Sequence, residues 1–351
     1  MRNQTGNAPG RNTRQAGGKK RDLLYFFVIC MLLTMNLIFL VELQSQMKSM
    51  NNEMKQLLGR IALAQQEGGF VSQADSGKGH GKVDLGIVQQ SDKKGGMESS
   101  GQDELDYVQL CGLSEVDRPV KRTQHEVLLR LDELAEDSEI IRRIREESYL
   151  YPDEMLEALA NNPEMALFVE GYPSSDGEPK GGLTDAERKS EFPLFLQWDP
   201  RWGYAEYGDD SNIGLSGCGP TCLSMVLYSL LGEEEQTPDK IAKYAMENGY
   251  YMAGTGTAWA LMQDYPATYG VEVRQCSASE WSMKNALDKG GLIICSMKPG
   301  DFTAGGHFIV IYAYDKEGFR VNDPNCVARS RICWSFDEIG KQIKNMWIYE
   351  I

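Results

Sequence analysis

The chain has 351 residues, 42% of them hydrophobic, which is room for one or two domains and the composition of a globular core rather than of a disordered chain. Its formal net charge is −15, and the first 22 residues carry +5 of their own (Arg2, Arg11, Arg14, Lys19, Lys20 and Arg21 against Asp22), leaving −20 for the rest. So acidic a body excludes a nucleic-acid binder, which needs a basic face toward phosphate.

The basic tail, residues 1–22, leads into LLYFFVICMLLTMNLIFLV, which runs from Leu23 to Val41 with only Thr34 and Asn36 as polar interruptions. Nineteen residues at about 1.5 Å each approach the roughly 30 Å hydrocarbon thickness of a bilayer. A cleaved secretory signal has a shorter apolar stretch, usually about 7–15 residues, followed by a small-residue cleavage site. The exit here reads VELQSQM and offers none. Residues 23–42 therefore read as an uncleaved transmembrane signal anchor, ahead of a cleaved signal or a buried soluble helix. The positive-inside rule then keeps the N-terminus in the cytoplasm and places the remainder outside the cell, as in a single-pass membrane protein.

Residues 43–67 continue as a helical stalk. Leu43, Met47, Met50, Met54, Leu57, Ile61 and Ala64 alternate steps of four and three, the spacing of a coiled-coil seam. The seam is short and rich in Met, so a homodimer through the stalk and a stalk that stays single are both open. Residues 68–104 are rich in Gly, Ser, Lys and Asp and read as a flexible linker with too few large apolar side chains to order itself. His80 lies there between glycines, as a solvated side chain.

A small helical region is expected over 105–190. Val127, Leu128, Leu131 and Leu134, then Ile140, Ile141 and Ile144, recur at helical steps with charged residues between them. Further helices begin near Pro152 and Pro163, and Gly171-Tyr172-Pro173 stops the pattern before a loose loop over 174–182. His125 reads as a surface histidine. Whether this region is a removable propeptide or a permanent support is left open by the sequence.

Residues 191–351 change texture: FPLFLQWDPRWG, then GLSGCGPTCLSMVLYSLLG, then alternating apolar segments around VEVRQC, LIICSM, HFIVIYAY and FRVNDP. A helix followed by several strands is an α+β order. Cys218 stands between Gly217 and Gly219, which would admit a substrate backbone, and Pro220 favours a first helical turn. The sulfur is thus placed at a helix N-terminus, where the dipole favours a thiolate. The segment holds a single histidine, His307, behind Gly305 and Gly306 at the start of an apolar strand. Asp323, ending the next strand, is placed to orient its imidazole. Cys, then His, then Asp is the papain-like order.

The motifs QWDPRW with Gln197, GCGPTC with Cys218, GGHFIVI with His307 and NDP with Asp323 together resemble cysteine peptidase family 39, relatives of the peptidases that trim double-glycine leaders from bacteriocins. The resemblance covers nearly all of residues 192–351. It implies a papain-like α+β fold and catalytic roles for Cys218, His307 and Asp323. It also implies that Gln197 supplies the side-chain donor of an oxyanion hole, beside the Cys218 backbone N–H. The activity it implies is hydrolysis of a peptide or amide bond in a peptide or protein substrate, without cofactor or metal. A silent module that only binds peptides on the cell surface is the alternative. No spacing matches a zinc site, since there is no CxxC and the three histidines are scattered. Leader cleavage itself fits poorly with a chain that carries no transporter and faces outward. Cys30 and Cys111 show no partner, Cys222 reads as core, and Cys326 and Cys333 bracket VARSRI as a hairpin with room for a disulfide.

Overall fold

The computed structural model describes residues 106–113 and 115–351. The signal anchor, the stalk and the linker lie outside the described residues. Among the described residues, no helix is long and apolar enough to cross a membrane.

The first helices are short and amphipathic: α1 (Tyr107–Leu110), α2 (Gln124–Leu134), α3 (Glu139–Glu146), α4 (Asp153–Asn161) and α5 (Ala166–Gly171). Thr123 and Glu126 form a capping box at the start of α2, and Ser138 caps α3, so each start is written locally. Val127 and Leu131 of α2, Ile141 and Ile144 of α3, Met155 and Leu159 of α4 and Phe168 and Val169 of α5 share one core. Leu196, Trp198 and Val327 are buried in that same core, so the helices pack on the segments that flank Gln197 and Asp323.

After α6 (Asp185–Lys189) come α7 (Ile213–Ser216), α8 (Cys218–Leu231), α9 (Pro238–Glu247), a small hairpin of β1 (Tyr251–Met252) and β2 (Gly256–Thr257), and α10 (Leu261–Ala267). Helix α8 is apolar nearly all round and buried from Gly219 to Leu227, and it ends where Gly232 turns left-handed at φ 71°. Then follow β3 (Glu272–Cys276), α11 (Glu280–Leu287), β4 (Leu292–Met297), β5 (His307–Tyr314), β6 (Phe319–Asn322), α12 (Val327–Ser330), β7 (Cys333–Trp334), α13 (Phe336–Ile339) and β8 (Ile343–Glu350).

Strands β3 to β8 form one antiparallel sheet in the order β3-β8-β4-β5-β6-β7. Ile294, Val310, Trp347 and Tyr349 face α8, while Ile293, Ile309, Ile311 and Met346 face Met283 and Ala286 of α11. Both faces are covered, which is why β4 and the first five residues of β5 are buried at every position instead of alternating. This is a mixed α+β architecture.

The expected hairpin over VARSRI is absent. Val327–Ser330 is a single helical turn, and Cys326 and Cys333 are both free thiols. Tertiary contacts override the local pattern here, because the N–H groups of Val327 and Ala328 find acceptors in the helical region.

Candidate active site

Three pieces of local structure bring the candidate residues together. Helix α7 is capped by Asn212, whose side chain accepts from Leu215 N–H, and it hands the chain to Gly217, so that α8 begins at Cys218. A Cβ at Gly217 would lie 2.6 Å from the Ile213 carbonyl oxygen, and one at Gly219 would lie 2.7 Å from Thr257 Oγ1. The expectation that these two glycines make room for substrate is corrected: their space is filled by the protein itself, and they let α7 and β2 approach the turn that carries Cys218. Gly305 and Gly306 differ, with nothing within 4 Å of a Cβ placed at either. Open space therefore lies beside His307.

His307 opens β5, and Asp323 follows the end of its neighbour β6. His307 Nε2 donates to Asp323 Oδ1 at 2.7 Å. Nδ1 is then the ring nitrogen left free of that bond, and the Cys218 side chain is near enough to act on the imidazole. The same Oδ1 accepts Asn325 N–H at 2.9 Å, and Oδ2 accepts Arg329 Nε at 2.7 Å. Asp323 is fully buried and Arg329 nearly so.

The electrostatics follow from these contacts. Burial pushes the Asp323 carboxyl up, but Arg329 and His307 outweigh it and hold the group at about 2. Burial pulls the His307 imidazole down, but Asp323 and Cys218 outweigh that and raise it to about 9. At neutral pH one carboxylate thus stands between two cations, and the imidazolium is the one that faces the sulfur.

Gln197 is buried between the same pieces. Its backbone N–H donates to the Pro324 carbonyl at 2.7 Å, and its Nε2 donates to the Gly214 carbonyl of α7 at 2.8 Å. One amide hydrogen remains unused by that bond. The side chain is therefore fixed between the turn after Asp323 and the turn before Cys218.

Sequence reasoning missed Arg329 and the buried carboxylate of Glu164, 8% exposed, which binds the start of α12. Arg329 sits in VARSR without a motif around it, and its role emerges only where β6 and α12 meet. Among the described residues, Asp315, Glu317 and Cys333 come close enough together to be weighed as cation ligands. Arg320 already pairs with Asp315 at 2.7 Å and reaches Glu317 at 3.7 Å, so a cation there would compete with a guanidinium.

Cys218, His307, Asp323 and Gln197 are thus brought together by α8, β5, β6 and the segment before α7. Residues 189–349 match the model of the peptidase C39-like family, so the resemblance read from the motifs holds over this stretch. Among solved structures the chain is similar to the peptidase domain of Streptococcus ComA, described as a bi-functional ABC transporter involved in a quorum-sensing pathway. That match has 16% identity over 38% of this chain and 89% of that one, with a TM-score of 0.31. A putative C39-like peptidase from Bacillus anthracis is similar at 15% identity over 39% of this chain and 89% of that one, with a TM-score of 0.27. No curated protein matches the chain.

Proposed function

We propose that the chain is a membrane-anchored, extracytoplasmic cysteine peptidase or amidase that cleaves a peptide or amide bond through an acyl-enzyme. The observation that carries this reading is the position of His307, bonded through Nε2 to a buried carboxylate, with the Cys218 side chain near enough to the imidazole to help raise its pKa. An imidazole held this way can relay a proton without losing its orientation.

The Cys218 sulfur attacks the substrate carbonyl as a thiolate, forming a C–S bond while the carbonyl electrons move to oxygen. Gln197 Nε2 and the Cys218 backbone N–H, one of the helix-start donors without an intrahelical acceptor, receive that oxyanion. The intermediate collapses, the C–N bond breaks, and the imidazolium gives its Nδ1 proton to the leaving amine. Neutral His307 then takes a proton from water, whose oxygen attacks the thioester. The adduct collapses, the C–S bond breaks, the acid product leaves and gives its proton to solvent, and the thiolate and imidazolium are restored. Asp323 stays ionised throughout, compensated by Arg329.

Anchoring rests on the apolar stretch from Leu23 to Val41 behind its basic flank. The test is labelling of the full chain with an electrophilic peptide-like probe. The reading expects modification at Cys218 ahead of the buried Cys222, loss of labelling in Cys218→Ser, and strong slowing in His307→Ala. Equal rates at the two cysteines, indifferent to His307→Ala, would instead leave a domain that only binds peptides.

A further inference from the structure

Glu164 stands 25 positions before the stretch that matches the family model, on the short 3-10 turn Pro163–Met165, and it is buried. One carboxylate oxygen accepts the Val327 N–H at 2.7 Å and the other the Ala328 N–H at 2.9 Å. The Cys326 thiol is near enough to act on the same carboxylate, helping to hold it down against burial. Helix α12 has no capping side chain of its own, so its first donors are satisfied by a residue 163 positions away. The neighbouring Asn162 bonds through Nδ2 to the Asn325 carbonyl, which also accepts from Trp198 Nε1 at 2.9 Å. The clamped segment, residues 325–328, joins Asp323 to Arg329, the two ends of the ion pair that orients His307.

Apolar packing of Val327 in the helical core would hold this turn without any buried charge. A carboxylate in that position costs desolvation, and burial pushes Glu164 upward against the bonds it accepts. What the carboxylate adds is direction: two N–H vectors fixed at once, one turn from the group that holds Asp323.

We propose that Glu164 is a positioning residue of the active site, through which the helical region fixes the turn carrying Asp323 and Arg329 and so holds His307 against Cys218. The inference deepens the cysteine-hydrolase reading and rests on it. It also makes the helices a working part of the site.

The test uses the full chain in detergent, with 15N-labelled histidine. Glu164→Gln keeps the size but removes the charge and turns an amide donor toward one of two donors. Titration of His307 by NMR and alkylation of Cys218 by iodoacetamide, mapped by mass spectrometry, are followed against pH. Neither measurement needs a substrate. A wild-type chain that hydrolyses nothing would thus sink the hydrolase reading while leaving this comparison standing. The expected result is a folded Glu164→Gln protein whose His307 midpoint drops from about 9 by about one pH unit or more, toward the ordinary 6.5. Alkylation at pH 7 should fall about tenfold as the imidazole loses its orientation. Glu164→Asp, which keeps both acceptors, recovers most of both. A folded Glu164→Gln with the wild-type midpoint and alkylation rate overturns the proposal. Should that variant fail to fold, Asn162→Ala loosens the same turn and is read against the same two outcomes.

Discussion

Two arginine clusters in this molecule, each set on buried carboxylate, are built from the same parts in different arrangements. Arg201 meets two carboxylates: Nη2 lies 2.7 Å from Glu187 Oε1 and 2.7 Å from Asp199 Oδ2, with Nη1 on Glu187 Oε2 and on the Gly182 carbonyl and Nε on Asp199 Oδ1. Its guanidinium also lies over the Trp202 ring at 4.3 Å. Arg329 instead shares one carboxylate, Asp323, with a second cation, His307. In the first cluster burial pushes Asp199 up, Arg201 pulls it back and Glu187 pushes it further. In the second, Arg329 and His307 hold Asp323 at about 2. The first is anion-rich and closed on itself, a clasp. The second joins two cations through one carboxylate, and one of those cations is the ring that faces Cys218. A titratable partner at an open edge, not the presence of an arginine, separates a structural pair from a candidate site.

The comparison breaks most directly by removing each arginine. Arg201→Met and Arg329→Met each strand a buried carboxylate and should cost about 3–5 kcal/mol of stability, read by denaturant unfolding. In the fraction that stays folded, Arg329→Met should also slow Cys218 alkylation, by about tenfold, while Arg201→Met leaves it unchanged. Equal alkylation rates in the two variants would erase the distinction drawn here. Gln197→Ala comes next: turnover should fall roughly 10²- to 10³-fold if its amide receives the oxyanion. Stability should fall by only about 1 kcal/mol for the lost bond to Gly214. Weaker substrate binding with intact turnover would contradict that role.

Much of this site was written in short stretches of sequence. GGHFIVI and VNDP mark the ends of adjacent strands, and the register Val310↔Asn322 and Ile311↔Val321 is what aligns His307 with Asp323. GCGPTC before an apolar run marks the start of α8. The rest depends on contacts with no local trace. Nothing in the local sequence marks Glu164, and only the fold shows both its oxygens on α12. VARSRI between two cysteines reads as a hairpin, yet those N–H groups are claimed from 163 residues away. Gly217 and Gly219 read as space for a ligand because a sequence shows that a side chain is missing and not what stands in its place.

The same balance sets the pH response. His307 is raised from 6.5 to about 9, so the stability its protonation contributes is complete below about 6.5 and is lost as pH rises through about 9. Asp323 is lowered from 3.8 to about 2, so its contribution is present above about 3.8 and is lost as pH falls through about 2. The unfolding free energy of wild type minus that of His307→Gln should therefore shrink between pH 6 and pH 10, other titrations cancelling in the difference. A flat difference would mean that His307 gains no charge from its partners.

The smallest expected effect is the one that separates the two glycine pairs. Gly217→Ala drives a methyl to 2.6 Å from a backbone oxygen that cannot move without α7, so the turn into Cys218 must shift and alkylation must suffer with it. Gly306→Ala meets nothing within 4 Å, so stability should stay within about 0.5 kcal/mol of wild type. Iodoacetamide, small enough to pass a methyl, should react with Cys218 in Gly306→Ala at the wild-type rate. If the open space beside His307 is where a peptide lies, that same methyl should raise KM for a peptide substrate with kcat unchanged, because it obstructs ground state and transition state alike. An unchanged KM would move the substrate path to another side of His307. A slowed alkylation would mean instead that Gly306 shapes the approach to the sulfur itself.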